Sequence, residues 1–102
     1  MENAEAILDA HRQIIDKIGR LGDAVQLAWP DGTILISHQD GQVHLSSASG
    51  NAETELLNLA TAAVNDPALT VTVTARRETA FGTPKDTVER WTSQNGRLVR
   101  AR

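Results

Sequence analysis

The chain contains no cysteine, no tyrosine, a single phenylalanine and two tryptophans. Without thiols it holds no disulfide framework and no cysteine-ligated zinc site. No apolar run approaches the ~18–20 residues that a membrane span needs, so no membrane partner is expected. Glu2 and Glu5 make the start of the chain acidic, the reverse of the basic n-region of a secretory signal. Basic residues are scarce over the first three quarters. Residues 1–75 carry only Arg12, Lys17 and Arg20 against ten carboxylates, a net −7. What is present is 102 residues, 40% of them hydrophobic. That is too apolar for a disordered segment and has the length of one small domain, taken as residues 1–102.

The overall charge of −3 conceals a split between an acidic body, residues 1–75, and a basic C-terminal β-hairpin region, residues 76–102, with a net +4. Arg76, Arg77, Arg90, Arg97, Arg100 and Arg102 surround Trp91 there. Guanidinium forks suit bidentate contact with phosphate or carboxylate, and an indole offers a stacking surface, so these seven residues are the candidate partner-binding set. The same asymmetry suits a basic end packed on the acidic body of its own fold or of a twin.

Periodicity divides the chain into eight elements. Ala4, Ile7, His11, Ile14, Ile18 and Leu21 recur at helical spacing, flanked by Leu8 and Ile15, which predicts a helix over 3–21. Asn3 is its expected N-cap, Lys17 and Arg20 stand in its last turn, and Gly22 follows it. Residues 24–47 read as three strands joined at Asp31-Gly32 and Asp40-Gly41, favoured two-residue hairpin loops. That register places Trp29 opposite Ile34, Leu27 opposite Ile36, Val43 opposite His38 and Leu45 opposite Ile36. One face then carries Val25, Leu27, Trp29, Ile34, Ile36, His38, Val43 and Leu45. The other carries polar residues and Leu35. A second helix runs from the N-cap Asn51 to about Val64, stopped by Asn65-Asp66-Pro67. Residues 69–75 alternate Leu69, Val71, Val73 and Ala75 against three threonines and read as a strand. A loop is expected from Glu78 to Asp86, then a hairpin over 87–101 about Asn95-Gly96, pairing Trp91 with Arg100 and Glu89 with Arg102. The order α-β-β-β-α-β-β-β implies an α+β fold, a twisted antiparallel sheet with both helices on one face. The strand 69–75 and the terminal hairpin are each candidate sheet edges open to another chain.

Candidate chemistry is thin. His11 and His38 could meet beneath the first helix, but no third ligand has an evident position, and the bland reading is two border histidines with a satisfied ring nitrogen. Ser37 opposite His44 resembles a nucleophile and its base, yet a flat sheet surface supplies neither an orienting group nor an oxyanion hole. Asp31 and Asp40 are accounted for by turn chemistry. The sequence has no phosphate-cradling glycine loop, nucleophile elbow or dinucleotide fingerprint, so no catalytic residues and no cofactor are expected.

The run Asp31-Gly32-x-Ile34-x-Ile36 followed by Asp40-Gly41-x-Val43-x-Leu45, with the helix from Leu56 to Val64, is similar in outline to the YbaB/EbfC nucleoid-associated proteins, which are small acidic homodimers. That likeness covers Ile7 to Val64 and ends after Pro67, where this chain adds about 35 residues of β-type sequence. The element order as a whole resembles the class I type III secretion chaperones, acidic dimers that bind effector segments, without their final helix. No diagnostic motif accompanies either outline. The expected function is a non-enzymatic, cytoplasmic protein-interaction module, adaptor- or chaperone-like and dimeric, with an unidentified protein partner. The alternative is a small nucleic-acid-binding protein using the arginine-rich hairpin.

Overall fold

The computed structural model describes residues 3–79 and 81–101. Among these the chain forms α1 (Ala4–Asp16), a short 3-10 turn (Ile18–Arg20), β1 (Ala24–Trp29), β2 (Gly32–Gln39), β3 (Gln42–Ser46), α2 (Ala52–Asn65), β4 (Thr70–Glu78), β5 (Pro84–Gln94) and β6 (Arg97–Arg100). All six strands belong to one antiparallel sheet in the order β3-β2-β1-β4-β5-β6. The two helices share one face of it, the α+β architecture expected from the alternation.

Alternation explains the core. Val25, Leu27, Ile34, Ile36, Val71 and Val73 point to the same side of neighbouring strands and meet Ala10, Ile14, Ile18, Leu56, Leu59, Ala60 and Ala63 from the helices. The buried line runs through Ala10 and Ile14 of α1, with Gln13 beside them, and on to Ile18 of the 3-10 turn; Ile7, His11 and Leu21 are half-buried and Ala4 and Leu8 are exposed. The stripe read from the sequence is therefore rotated, because α1 packs against α2 on one flank and β6 on the other. Asn3 bonds the Asn65 side chain instead of capping its own helix. Asn51 does cap α2, accepting from Thr54 N–H at 3.2 Å, a contact worth about 1 kcal/mol.

The first helix is also shorter than predicted. After Lys17 the chain tightens into the 3-10 turn, which brings Gly19 onto β2, where a Cβ would stand 3.0 Å from Ile36. The freed Gly19 carbonyl accepts from His38 Nε2 at 2.9 Å. His38 is thus a border histidine satisfied by backbone.

The first hairpin differs from its expected register by two residues. Trp29 pairs with Gly32, Leu27 with Ile34 and Val25 with Ile36, so the loop is Pro30-Asp31. A two-residue slip keeps every side chain on its face, which is why the predicted partition survives. Gly32 does not have positive φ. It is needed for a close approach, because a Cβ there would stand 2.9 Å from the Trp29 ring and collide with the Glu55 carboxylate. The other two tight turns do use left-handed backbone, at Asp40-Gly41 (φ 53 and 77) and Asn95-Gly96 (φ 54 and 79), as a two-residue hairpin with positive φ at both positions requires. The second and last hairpins accordingly have the expected pairs, including Ser37 with His44 and Trp91 with Arg100.

The expected loop over 78–86 is narrower than predicted, with strand at both of its ends. β4 runs on to Glu78 and β5 begins at Pro84, with Arg76 opposite Asp86 and Arg77 opposite Lys85. β1 pairs with β4 only as far as Arg76. The Arg77–Lys85 and Glu78–Pro84 pairs therefore run on past β1 and, with the turn that joins them, form a short arm.

Candidate functional site

The sheet has two ends, and they differ. β6 ends in a tight hairpin whose Leu98 is 1% exposed. On its outer side the Leu98 peptide is taken by α1: Gln13 Nε2 donates to the Leu98 carbonyl at 2.6 Å, and Leu98 N–H donates to Gln13 Oε1 at 3.0 Å. The sheet thus curls until its last strand closes against a helix, with the Ser93 hydroxyl donating to the Ala63 carbonyl of α2 nearby. At Leu98 the edge is therefore covered against another strand.

At the other end, β3 is uncovered. Ladder bonds alternate from the Gln39–Gln42 pair beside the turn, which points the peptide groups of Val43 and Leu45 away from β2. Among the described residues, no bond outside the ladder reaches either group. Val43 is 38% exposed and Leu45 half-buried. Beside this edge lies a groove of about 540 Å³, walled by β3 from Val43 to Ser46 and by Asn51, Ala52 and Glu53 at the start of α2. Of the two edges expected from the sequence, 69–75 is an interior strand between β1 and β5, and the terminal hairpin is closed by Gln13. The free edge is β3, whose alternation reads as an ordinary hairpin strand. What frees it is Gln13 lying beside the other end, a side chain that helical periodicity treats as polar filler.

The sheet face away from the helices is a second surface. Across it run the rows Leu35-Gln26-Thr74-Val88 and Thr33-Ala28-Thr72-Arg90. Leu35 is 40% and Val88 65% exposed. Ala24, Gln26, Leu35, Thr74, Arg76 and Asp86 line a depression of about 280 Å³ on this face. The Ser37–His44 pair lies here too, with His44 exposed.

The basic candidate set is not assembled on one surface. Arg76 and Arg90 belong to the open face, four residues apart along the ladder. Arg76 forms a fork with Asp86 at 2.9 and 3.2 Å, and this bond with the guanidinium holds the Asp86 carboxyl below its ordinary range. Arg77 turns back to the Leu21 carbonyl at 2.8 Å. Arg100 pairs with Glu89 at 2.7 Å and lies over the half-buried Trp91 ring, 5.7 Å from its centroid. The expected Glu89–Arg102 pair involves Arg102, which lies outside the described residues. Trp91 Nε1 is buried without an acceptor, and the ring faces the helix side beneath Arg100. Arg97 stands at the far end, beside Asp9, Arg12 and Asp16 of α1. Among the described residues no three His, Asp or Glu side chains converge as a metal site would require, and no helix is long and apolar enough to cross a membrane.

Comparison of the chain with models of known protein families, with characterised proteins and with solved structures finds no match in any of the three.

Proposed function

We propose that this chain is a non-enzymatic, self-associating protein-interaction module of the cytoplasm, adaptor- or chaperone-like, that takes up an extended segment of a partner protein by strand addition at β3. The observation that carries this reading is the asymmetry of the edges: the Leu98 peptide of β6 is bonded by Gln13, whereas the Val43 and Leu45 peptides of β3 are unpaired beside a groove. Main-chain bonds to a free edge supply affinity, and alternate side chains supply selectivity. A segment added outside β3 turns every second residue toward Val43 and Leu45. The favoured partner therefore alternates apolar and polar residues over four to six positions. The dispersal of the arginines, with Arg76 and Arg100 occupied by carboxylates, weighs against the hairpin as a polyanion site.

The test uses Val43→Pro. The Val43 N–H points outward, so proline removes the docking donor without removing a β2–β3 ladder bond. Selection from a displayed peptide library should enrich alternating apolar segments, and Val43→Pro should weaken the selected peptides at least tenfold while leaving the circular dichroism spectrum unchanged. Equal binding by the folded variant would refute strand addition. Labelled duplex and single-stranded DNA, followed by anisotropy at 50 and 200 mM salt, covers the alternative. Tight binding that collapses at the higher salt would replace this proposal with nucleic-acid binding, since phosphate contacts weaken steeply with ionic strength.

A further inference from the structure

The described residues of the β4–β5 arm are all exposed, yet its base is braced. Phe81, the sole phenylalanine, sits at its tip with 94% of its surface exposed. An isolated two-stranded hairpin is marginal in water, yet four contacts hold the base of this one. Asp23 N–H donates to the Arg76 carbonyl at 2.8 Å, Glu78 N–H donates to Asp23 Oδ2 at 3.0 Å, Arg77 bonds the Leu21 carbonyl, and Arg76 forks onto Asp86. Gly22 permits the approach, since a Cβ there would meet the Arg76 carbonyl oxygen at 2.6 Å. At the tip, the Thr79 hydroxyl accepts from the N–H groups of Phe81 and Thr83, and Gly82 takes the left-handed conformation (φ 78). The Phe81 N–H is thus tethered to Thr79, which lowers the entropy cost of docking the ring.

We propose that Phe81 seats in the open-face depression of a second copy of this chain, so that two protomers exchange arms about a two-fold axis. The proposal rests on the self-association put forward above and specifies its surface. Three observations favour a second copy as the occupant. The chain exposes 6646 Å², whereas a compact monomer of 11.0 kDa exposes about 5,600 Å². The excess of about 1,000 Å² compares with the ~800 Å² each partner buries in a standard interface. The depression, about 280 Å³ and walled by Ala24 and Leu35, has room for a phenyl ring, given that a cavity of about 150 Å³ accepts benzene. Arg76 on its rim offers a guanidinium to the face of the ring. The arm also carries Phe81 clear of the depression: from Arg76, at its level, β4 runs on through Arg77 and Glu78, about 7 Å of strand, and Phe81 follows in the turn at the tip. Because the contact is reciprocal it closes after two copies. Residues 76–86 carry three basic and two acidic side chains, which is too little net charge to hold a polyanion or an anionic bilayer.

The experiment uses the full chain and exploits its lack of cysteine. Light scattering across a concentration series should give a dimer for the native chain. Phe81→Ser, at an exposed position, should keep its circular dichroism spectrum and raise the dimer dissociation constant at least tenfold. Mixing singly substituted Phe81→Cys and Gln26→Cys chains under mild oxidation should yield the mixed disulfide far faster than Phe81→Cys with Asp9→Cys on the helix side. A native dimer indifferent to Phe81→Ser, or equal cross-linking to both partners, overturns arm exchange and leaves self-association intact. A native chain that is monomeric throughout overturns both. If that monomer binds vesicles or DNA through Phe81, the arm passes to that ligand and the dimer proposal falls.

Discussion

The second and last hairpins are built alike and end differently. Each turns through two residues of positive φ, Asp40-Gly41 in one and Asn95-Gly96 in the other, and each ends in a short strand at a limit of the same sheet. Leu98 on β6 is nevertheless buried and its peptide bonded on its outer side, whereas Val43 on β3 is exposed with its peptide open. Turn chemistry makes a hairpin. Whether its outer strand is an end or a docking edge depends on what the rest of the chain lays beside it, and for β6 that is one glutamine of α1.

The contrast can be broken most forcefully in the core. Leu98→Ala should cost about 2–5 kcal/mol, the range for emptying a buried leucine site. Val43→Ala should cost less than about 1 kcal/mol, as for surface substitutions away from special features. Urea denaturation of the two variants measures the difference directly. Next is Gln13→Ala, which should turn β6 into an edge like β3. It strands a buried N–H and a buried carbonyl, a loss of about 2–6 kcal/mol at ~1–3 kcal/mol per unsatisfied group. Amide exchange at Leu98 should accelerate in parallel, and unchanged exchange there would show that α1 does not seal the strand.

Gly41→Ala and Gly96→Ala sharpen the comparison from the other side. Both glycines have φ near +78 with open space or only ordinary contact where a Cβ would be, so each substitution should cost about 1 kcal/mol and the two should match. A large inequality would place the difference between the hairpins in their turns. The smallest effect is expected from acidification, and it spares both edges. Asp86 has its pKa lowered by Arg76 in the fold, so the brace contributes above the ordinary carboxylate range and is lost as pH falls through the depressed value. Amide exchange in residues 77–86 should rise over that window, with Leu98 and Val43 unchanged.

The helices, the hairpin turns at Asp40-Gly41 and Asn95-Gly96, the one-sided core and the Trp91–Arg100 pair were all legible along the chain. The first hairpin was not, because Asp31-Gly32 looks like the other two turns while Gly32 serves the Trp29 ring. The arm was illegible for a different reason. Its strands carry Arg77, Glu78, Lys85 and Asp86, with no apolar alternation, and they are held by Gly22 and Asp23 from more than fifty positions away. The basic cluster dissolved on folding because period-two alternation sends Arg76 and Arg90 to one face and Trp91 and Arg100 to the other.

By itself the sequence determined what is local: where φ must be positive, which residues share a face, and that two helices and several strands must bury one apolar side. Those properties follow from sterics and periodicity over a few neighbouring residues. The tertiary structure alone decided which edge is sealed, which face stays open and which arginines find carboxylates. These depend on groups far apart in the chain, such as Gln13 and Leu98 or Asp23 and Glu78, whose hydrogen bonds exist only once the sheet has curled and the helices have crossed it.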